Sequence, residues 1–583
     1  MQKKRIAIID YKKCRKESCG FACYNICPVI RMGKEAIYYD DNDKKVHISE
    51  DLCSGCGICP KKCPFNAIDI INLSIDLNDP THQYGKNKFR LFRLPFIRNS
   101  NSVGLIGKNG TGKSTILNIY SGNIVPNLGN YEEGGNYEKI INYYKGKELQ
   151  QTFIDIAEKK MKVAYKPQNI NGIKETVTGK VIDLLKKVDE RNKLEEVVKL
   201  LKMQNMINKE VSTLSGGELQ KVAIAATIIK KASIYFYDEP SSFLDIKQRF
   251  IFANLINELK DTNLIVEHDL ALLDYLCDYL HILFGKAHAY GVVSSIKSTN
   301  QAINEFLDGF ISDENLRFRD YEINFYYRDE QAKKTNLFFS YPKMTKTFTD
   351  FSLEAESGDI YEGEIVGIIG ENGIGKTTFI KLLTGDEYSD DKNNSTLNKT
   401  MAYKPQDIYS EHIKVKDFFK NTNTELLMSE IWFKLKINEI EDLYLDELNT
   451  GTLQKIWIAK ILATNADLYL LDEPSAFLDV EEKLNIAKIV QSIIAKRKKA
   501  AFIVDHDILF IDFISDKLLV FDGEPGKNGF CTKPKEKKAG MNEFLKILNI
   551  TYRKDAKSGR PRVNKFDSAK DKEQKRSSNY YIY

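Results

Sequence analysis

Short apolar runs punctuate the chain. Val103–Ile106, Ile234–Tyr237, Ile365–Ile369, Leu468–Leu471 and Ala500–Val504 are each four or five residues long, and each is followed by glycine or aspartate. That length suits a buried strand and is too short for a helix. After the first and third of these runs comes a glycine-rich turn and then a helical pattern. Both therefore predict strand–loop–helix units and an α/β fold. A different period appears within residues 130–161, where EKIINYYKGKELQQTFIDIAEKKM sets Ile, Tyr, Leu, Phe and Ile at helical spacing. It predicts a helical pair, either a spare surface hairpin or an interaction arm. No apolar run approaches the roughly 18 residues that cross a bilayer. The start, MQKKRIAIIDYKKC, has only a four-residue apolar run and no small-residue cleavage site, so no signal peptide and no membrane are expected.

The two glycine-rich turns are phosphate-binding loops. The first is Gly107-Lys108-Asn109-Gly110-Thr111-Gly112-Lys113-Ser114, followed by Thr115. The second is Gly370-Glu371-Asn372-Gly373-Ile374-Gly375-Lys376-Thr377, followed by Thr378. Backbone N–H groups and a helix N-terminus in this context wrap polyphosphate. Lys113 and Lys376 would reach the β- and γ-phosphates of ATP, and Ser114 and Thr377 would ligate Mg²⁺. Each half then repeats the same series. Lys-Pro-Gln ends at Gln168 and Gln406, and Leu214–Gln220 is matched by Leu448–Gln454. Strands end in Asp238-Glu239 and Asp472-Glu473, Ser-x-Phe-Leu-Asp follows, and Glu267-His268-Asp269 is matched by Asp505-His506-Asp507. Ser215 to Asp238 and Asn449 to Asp472 are both 23 positions (238 − 215; 472 − 449), whereas lysine to glutamine is 55 in the first half and 30 in the second. The excess is the helical insert. At a strand end Asp238 and Asp472 can hold Mg²⁺ through water, and Glu239 and Glu473 are placed to polarise the attacking water. His268 and His506 would steady the γ-phosphate.

Cysteine brings in a second chemistry. Eight of the ten cysteines precede residue 64, as Cys14-x4-Cys19-x3-Cys23-x3-Cys27-Pro and Cys53-x2-Cys56-x2-Cys59-x3-Cys63-Pro. The second run has the spacing of bacterial ferredoxins, whose fourth cysteine serves the other cluster. By that rule Cys14, Cys19, Cys23 and Cys63 hold one [4Fe-4S] cluster, and Cys27, Cys53, Cys56 and Cys59 hold the other. Zinc is the rival, but it favours paired knuckles around a long spacer. The clusters would be structural or regulatory rather than electron carriers, since no redox-partner motif follows. Cys277 and Cys531 read as small buried hydrophobes.

At 583 residues with 42% apolar and 29% charged positions, the chain is globular and long enough for several domains. The net charge of +5 is too mild to imply a polyanion partner. The tail is different: from Tyr552 onward ten Lys/Arg face four Asp/Glu, which suits a solvated tail or an rRNA contact.

Together these motifs resemble ABC-type nucleotide-binding domains, and the whole chain resembles the ribosome-recycling ATPases of the ABC E subfamily, the RNase L inhibitor family. The ferredoxin-like start, the insert, Ala289–Asp320 and the tail GMNEFL…RPRVNK…DKEQKRSSNYY carry that likeness. It implies an iron–sulfur domain (1–75) and two head-to-tail cassettes (76–285 and 326–522). Hinge segments (286–325 and 523–583) would join them. One ATP would lie between the Lys113 loop and Leu448–Gln454, including Asn449 and Gly451. The other would lie between the Lys376 loop and Ser215, Gly216, Gly217 and Glu218. Tyr84 and Phe89 would stack on the first adenine, with Tyr341 as a candidate for the second. The implied activity is ATP hydrolysis that splits terminated or stalled ribosomes, with a later role on the small subunit in initiation. Implied partners are the small subunit and its rRNA, a release-factor or Pelota-type protein, and initiation factors. The setting would be the cytoplasm and the chain a monomer. Other readings are an F-type translation factor, a DNA-repair ATPase, or a nucleotide-binding scaffold. The second signature has Thr450 where the first has Gly216. A Thr suits neither left-handed backbone nor close approach to phosphate, and Asn449 lacks the Ser215 hydroxyl that would meet the γ-phosphate, which predicts a slow Lys113 site and a Lys376 site that does most of the hydrolysis.

Overall fold

A computed structural model describes residues 4–11, 13–41, 44–73, 79–325, 336–391, 399–420 and 422–582. The expected join between the iron–sulfur domain and the first cassette, and the start of the second cassette, fall partly outside these residues.

The N-terminal module pairs Lys4–Ile9 with Ile68–Leu73 and Ile37–Asp40 with Lys45–Ile48, both antiparallel. Short helices at Lys16–Cys19, Ala22–Ile26 and Ile58–Lys62 carry cysteines. Its core is small: Ala7, Ile9, Ile37, Val46, Ile48 and Ile68 close around Cys23 and Cys59. A core of that size needs staples to be stable alone. The module also leans on the first cassette. Asn87, fully buried, donates to Ala7 O (2.9 Å) and accepts from the Ile48 N–H (2.9 Å).

Each cassette is built on one nine-stranded sheet, and the two strand orders correspond one for one. At the centre of the first, Ser102–Gly107 lies parallel to Tyr279–Lys286 on one side and to Asn263–Val266 on the other; Ile234–Asp238 and Val163–Lys166 follow. In the second, Ile365–Ile369 takes the same place between Lys517–Glu524 and Ala500–Val504, ahead of Leu468–Asp472 and Met401–Lys404. Helices cover both faces, so Ile234–Asp238 and Leu468–Asp472 are buried at every residue. This is why their sequences show no alternation. The phosphate loops and acidic ends consequently lie together at the carboxyl ends of strands separated by one other, where α/β sheets bind ligands. The insert is the expected helical pair, Tyr137–Tyr143 and Leu149–Ala157. It buries Ile140, Tyr144, Phe153 and Ile156 in the first cassette's core, so it is no loose hairpin.

Two expected boundaries need correction. Position 285 lies inside a strand, and Tyr290–Val293 beyond it pairs back antiparallel, so residues 286–293 finish the first sheet rather than begin a linker. Position 522 likewise lies inside Lys517–Glu524, which pairs with Asn528–Cys531. Hairpins hide from a motif-based division because their turns carry no chemistry. The basic tail also folds. Tyr552–Lys554, Pro561–Val563 and Tyr581–Ile582 form a three-stranded sheet, and Ala569–Arg576 is helical. Its side chains Tyr552, Val563 and Tyr581 join a core cluster shared by both cassettes. Among the described residues no helix is long and apolar enough to cross a membrane.

Candidate active sites between the cassettes

Both phosphate loops turn on glycines with left-handed backbone. Gly110 and Gly112 have φ of 76° and 105°, and Gly373 and Gly375 have 77° and 96°. The helices Lys113–Tyr120 and Lys376–Thr384 begin directly on the loops, with Ser114, Thr115, Thr377 and Thr378 in their first turns. Each lysine folds back into its own loop. Lys113 Nζ donates to Gly107 O (2.9 Å) and Asn109 Oδ1 (3.3 Å), and Lys376 Nζ to Gly370 O (2.7 Å) and Asn372 Oδ1 (3.4 Å). Burial lowers both ammonium groups, Lys376 to about 8.

The carboxylates stand opposite. Glu239 and Glu473 leave their strands with φ of 46° and 45°, a left-handed conformation unusual for glutamate and repeated in both halves. Gln168 Nε2 donates to Glu239 Oε1 and Gln406 Nε2 to Glu473 Oε1, each at 2.8 Å. His268 Nε2 lies 3.7 Å from Glu239 Oε1, and His506 Nε2 lies 3.6 Å from Glu473 Oε1. Burial keeps both imidazoles neutral, well below the usual histidine range. Burial first, then Asp505 and Asp472, pushes Glu473 up to about 7, while at Glu239 the burial effect is opposed by Lys113. The sites also differ at the histidine: His268 Nε2 meets Lys113 Nζ at 2.9 Å, whereas His506 Nε2 meets Asn372 Oδ1 at 3.0 Å.

Sequence reasoning missed the residues that fix these strand ends. Lys166 and Lys404, both fully buried, donate to Asp238 O (2.9 Å) and Asp472 O (2.7 Å). Tyr165 and Tyr403 hydroxyls donate to the carboxylates of Asp238 (3.3 Å) and Asp472 (3.4 Å). Gln220 and Gln454 donate to Glu239 O (3.1 Å) and Glu473 O (2.6 Å). The signal was there, since Tyr-Lys-Pro-Gln occurs in both halves.

Each site faces the opposite cassette. A cavity of about 640 Å³ is lined by Tyr84, Phe89, Lys113, Gln168, Glu239 and, from the other half, Asn449–Gly451. Across the second site the Asn372 N–H donates to Asp245 Oδ2 at 3.1 Å. The left-handed backbone that would strain Thr450 is absent. Ser215 caps the helix Gly216–Ile228 by accepting from the Glu218 N–H, and Asn449 caps Thr450–Ala463 in the same way through the Thr452 N–H. Thr450 is thus the first residue of a helix and needs no left-handed backbone. Glycine is demanded one residue later. A Cβ on Gly217 would lie 2.9 Å from Phe243 O, and one on Gly451 would lie 2.7 Å from Phe477 O. Both signatures keep that glycine.

Tyr84 and Phe89 flank the first phosphate loop. The Tyr84 hydroxyl meets Thr115 Oγ1 at 3.1 Å, and Phe89 packs over Gly112. Tyr341 does not play that part in the second half; it is a core residue, edge-on to Phe379. The equivalents are Phe351, which packs over Gly375, and Phe348, whose N–H donates to Phe351 O as that of Tyr84 does to Phe89 O. The sequence clue was a repeated Phe-x-Leu, with Phe89 placed 24 residues before Lys113 and Phe351 placed 25 before Lys376.

In the N-terminal module, Cys23 interacts electrostatically with Cys14, Cys19 and Cys63, and Cys53 with Cys27 and Cys56. Cys27, Cys53, Cys56 and Cys59 line one cavity. Burial pushes the Cys23 and Cys59 thiols up to about 12, so protein alone would keep them protonated. All ten cysteines are free of disulfides. Among the described residues no three His, Cys, Asp or Glu side chains converge closely enough for a single metal ion.

An ABC transporter family model matches residues 96–242 and 353–476, and a 4Fe-4S binding domain model matches 46–69. The chain is 42% identical to ABC transporter E family member 1 of Arabidopsis thaliana, over 99% of this chain and 98% of that one. It is 41% identical to translation initiation factor RLI1 of Saccharomyces cerevisiae, over 99% and 98%. In structure it is similar to a chain of the ribosome-bound archaeal Pelota and ABCE1 assembly, with a TM-score of 0.95 and 45% identity over the whole of both chains.

Proposed function

Because this chain belongs to the E subfamily of ABC proteins, we propose that it is an ATPase that splits terminated or stalled ribosomes into subunits and afterwards acts on the small subunit in initiation. One observation carries the mechanism: the first cavity takes its phosphate loop from one cassette and its signature from the other. Nucleotide in such a cavity draws the two halves together, so occupancy becomes movement. Lys113 and Lys376 exchange their loop carbonyls for phosphate oxygens. Glu239 and Glu473 accept a proton from the attacking water, held in place by Gln168 and Gln406, and neutral His268 and His506 hydrogen-bond the γ-phosphate. Ser114 with Asp238, and Thr377 with Asp472, would hold Mg²⁺, which would supply positive charge against the phosphates. Two [4Fe-4S] clusters fit the two cysteine groups and would make the module rigid enough to push. Phe351, with Phe89, would stack on adenine.

The working partner is the ribosome, through the small subunit and its rRNA, beside a Pelota-type or release-factor protein. The ribosome-bound archaeal Pelota and ABCE1 assembly supports this reading. Initiation factors would be met on the small subunit, and a monomer in the cytoplasm is sufficient for the task.

Sedimentation of the purified chain through sucrose gradients with small subunits tests this. A non-hydrolysable ATP analogue should shift it into the subunit fractions, and nucleotide-independent association would refute the assignment. Iron content tests the two-cluster ligand set. Cys63→Ser and Cys27→Ser each remove one expected ligand, so each should halve the iron bound per chain. Full iron in either variant would overturn that residue's place in the set.

A further inference from the structure

Two interface positions occur once in each cassette and carry opposite charges in the two. The second residue of the phosphate loop is Lys108 in the first cassette and Glu371 in the second. The second residue after the helix-capping Asp245 or Asp479 is Lys247 in the first and Glu481 in the second. The head-to-tail arrangement sets each loop residue against the other cassette's helix residue. Lys108 Nζ lies 2.7 Å from Glu481 Oε2, and Lys247 donates to Glu371 Oε1.

The first cassette therefore presents lysine at both facing positions, and the second presents glutamate at both. Two first cassettes paired head to tail would set lysine on lysine twice, and two second cassettes would set glutamate on glutamate twice. Only the mixed pair attracts at both contacts. We infer that Lys108, Lys247, Glu371 and Glu481 form a charge code by which the two cassettes select each other and bring each phosphate loop into register with the opposite signature.

The surroundings reinforce the code. Glu371 and Glu481 are mostly covered, at 15% and 24% side-chain exposure, so water screens these contacts less than open surface pairs. Lys221, on the signature helix of the first cassette, also lies in the field of Asp245 and Glu371. Glu481 accepts a hydrogen bond from the Tyr321 hydroxyl and lies 3.9 Å from Arg319 Nη1. The Lys247–Glu371 pair is one residue from the Asn372 N–H that donates to Asp245. These are positioning residues, acting on the loops rather than on the nucleotide.

Because the inference rests on cassette closure, the test reads closure separately. Labels on opposite cassettes of the full chain report their separation with and without Mg-ATP, alongside phosphate release at low salt. Lys247→Glu or Glu371→Lys alone should lower phosphate release about tenfold, since like charges then meet at a covered contact. Their combination should return to within about threefold of the unmodified chain, a coupling that no structural loss at either residue would give. Lys108→Glu with Lys247→Glu, which makes all four positions acidic, should abolish the label movement. Adding Glu371→Lys and Glu481→Lys should restore it in part, since Glu481→Lys would also set a cation against Arg319. Single reversals without effect, or swaps no better than the worse single, would overturn the charge code while closure of the unmodified chain still stands. No label movement in the unmodified chain would overturn the closure reading and the code with it.

Discussion

Replacing Glu239 and Glu473 together by glutamine is expected to lower phosphate release by about 10²-fold or more, with ATP still bound and the cassettes still closing. Glutamine has nearly the same shape, so it can keep the left-handed backbone at φ of 46° and 45° and a contact to Gln168 or Gln406. What it lacks is a lone pair basic enough to take a proton from water. At Glu473 that capacity is tuned by burial to a value of about 7, near working pH. Both sites are changed at once because each holds its own candidate base, although they differ at the histidine. Each has a folded-back lysine, a glutamine-held carboxylate, a neutral histidine and a helix-capped signature with the required glycine. The expectation of a slow Lys113 site rested on Thr450 and on Asn449; the helix that begins at Thr450 removes the backbone objection, and the hydroxyl missing at Asn449 is unchanged by it. The double variant therefore tests the chemistry, while the two single variants report how turnover divides. Phosphate release of more than about a tenth of normal in the double variant would show that neither carboxylate is the base.

Much of this architecture was legible because polyphosphate chemistry tolerates few residue types at few spacings. A lysine on the phosphate loop, a strand-end acid pair and a histidine after the strand between them are constrained by what they touch, and duplication in register removed chance as an explanation. Residues whose partners are backbone carbonyls were harder to read. Lys166 and Lys404 were visible letters without a visible job, since only the fold shows that they hold the strand ends. The adenine face failed for another reason. Tyr341 is an aromatic in roughly the right stretch, but its strand points it at Phe379, and only the contact with Gly375 singles out Phe351. The tail was misread by its charge. Counting lysines and arginines treats them as solvated, whereas Arg560 has no exposed surface at all.

That arginine sets the second large expected effect. Asp274→Ala should destabilise the docking of the C-terminal sheet by about 3–5 kcal/mol, the usual cost of stranding a buried charge. Asp274 sits on the helix Leu270–Leu276, immediately after the His268-Asp269 segment. Its carboxylate accepts from Arg560 Nη1 (3.2 Å) and from Arg562 Nε (2.8 Å) and Nη2 (2.9 Å). Among the described residues Arg560 Nε and Nη2 have no hydrogen-bond partner. Without Asp274 two guanidinium groups would face each other, and Asp555, 3.5 Å from Arg562, is the acid left to answer them. Thermal unfolding should fall by about 6–20 °C at the usual 2–4 °C per kcal/mol for a cassette-sized unit. Hydrogen exchange should place the loss in Tyr552–Lys554 and Pro561–Val563 before the nucleotide strands. Replacing all three, Asp274→Leu with Arg560→Met and Arg562→Met, removes both stranded charges and should recover most of the stability. If Asp274→Ala unfolds within about 2 °C of the unmodified chain and its tail exchanges no faster, the tail is held by its apolar contacts, Tyr552 and Tyr581 among them, and the buried ion pair is incidental.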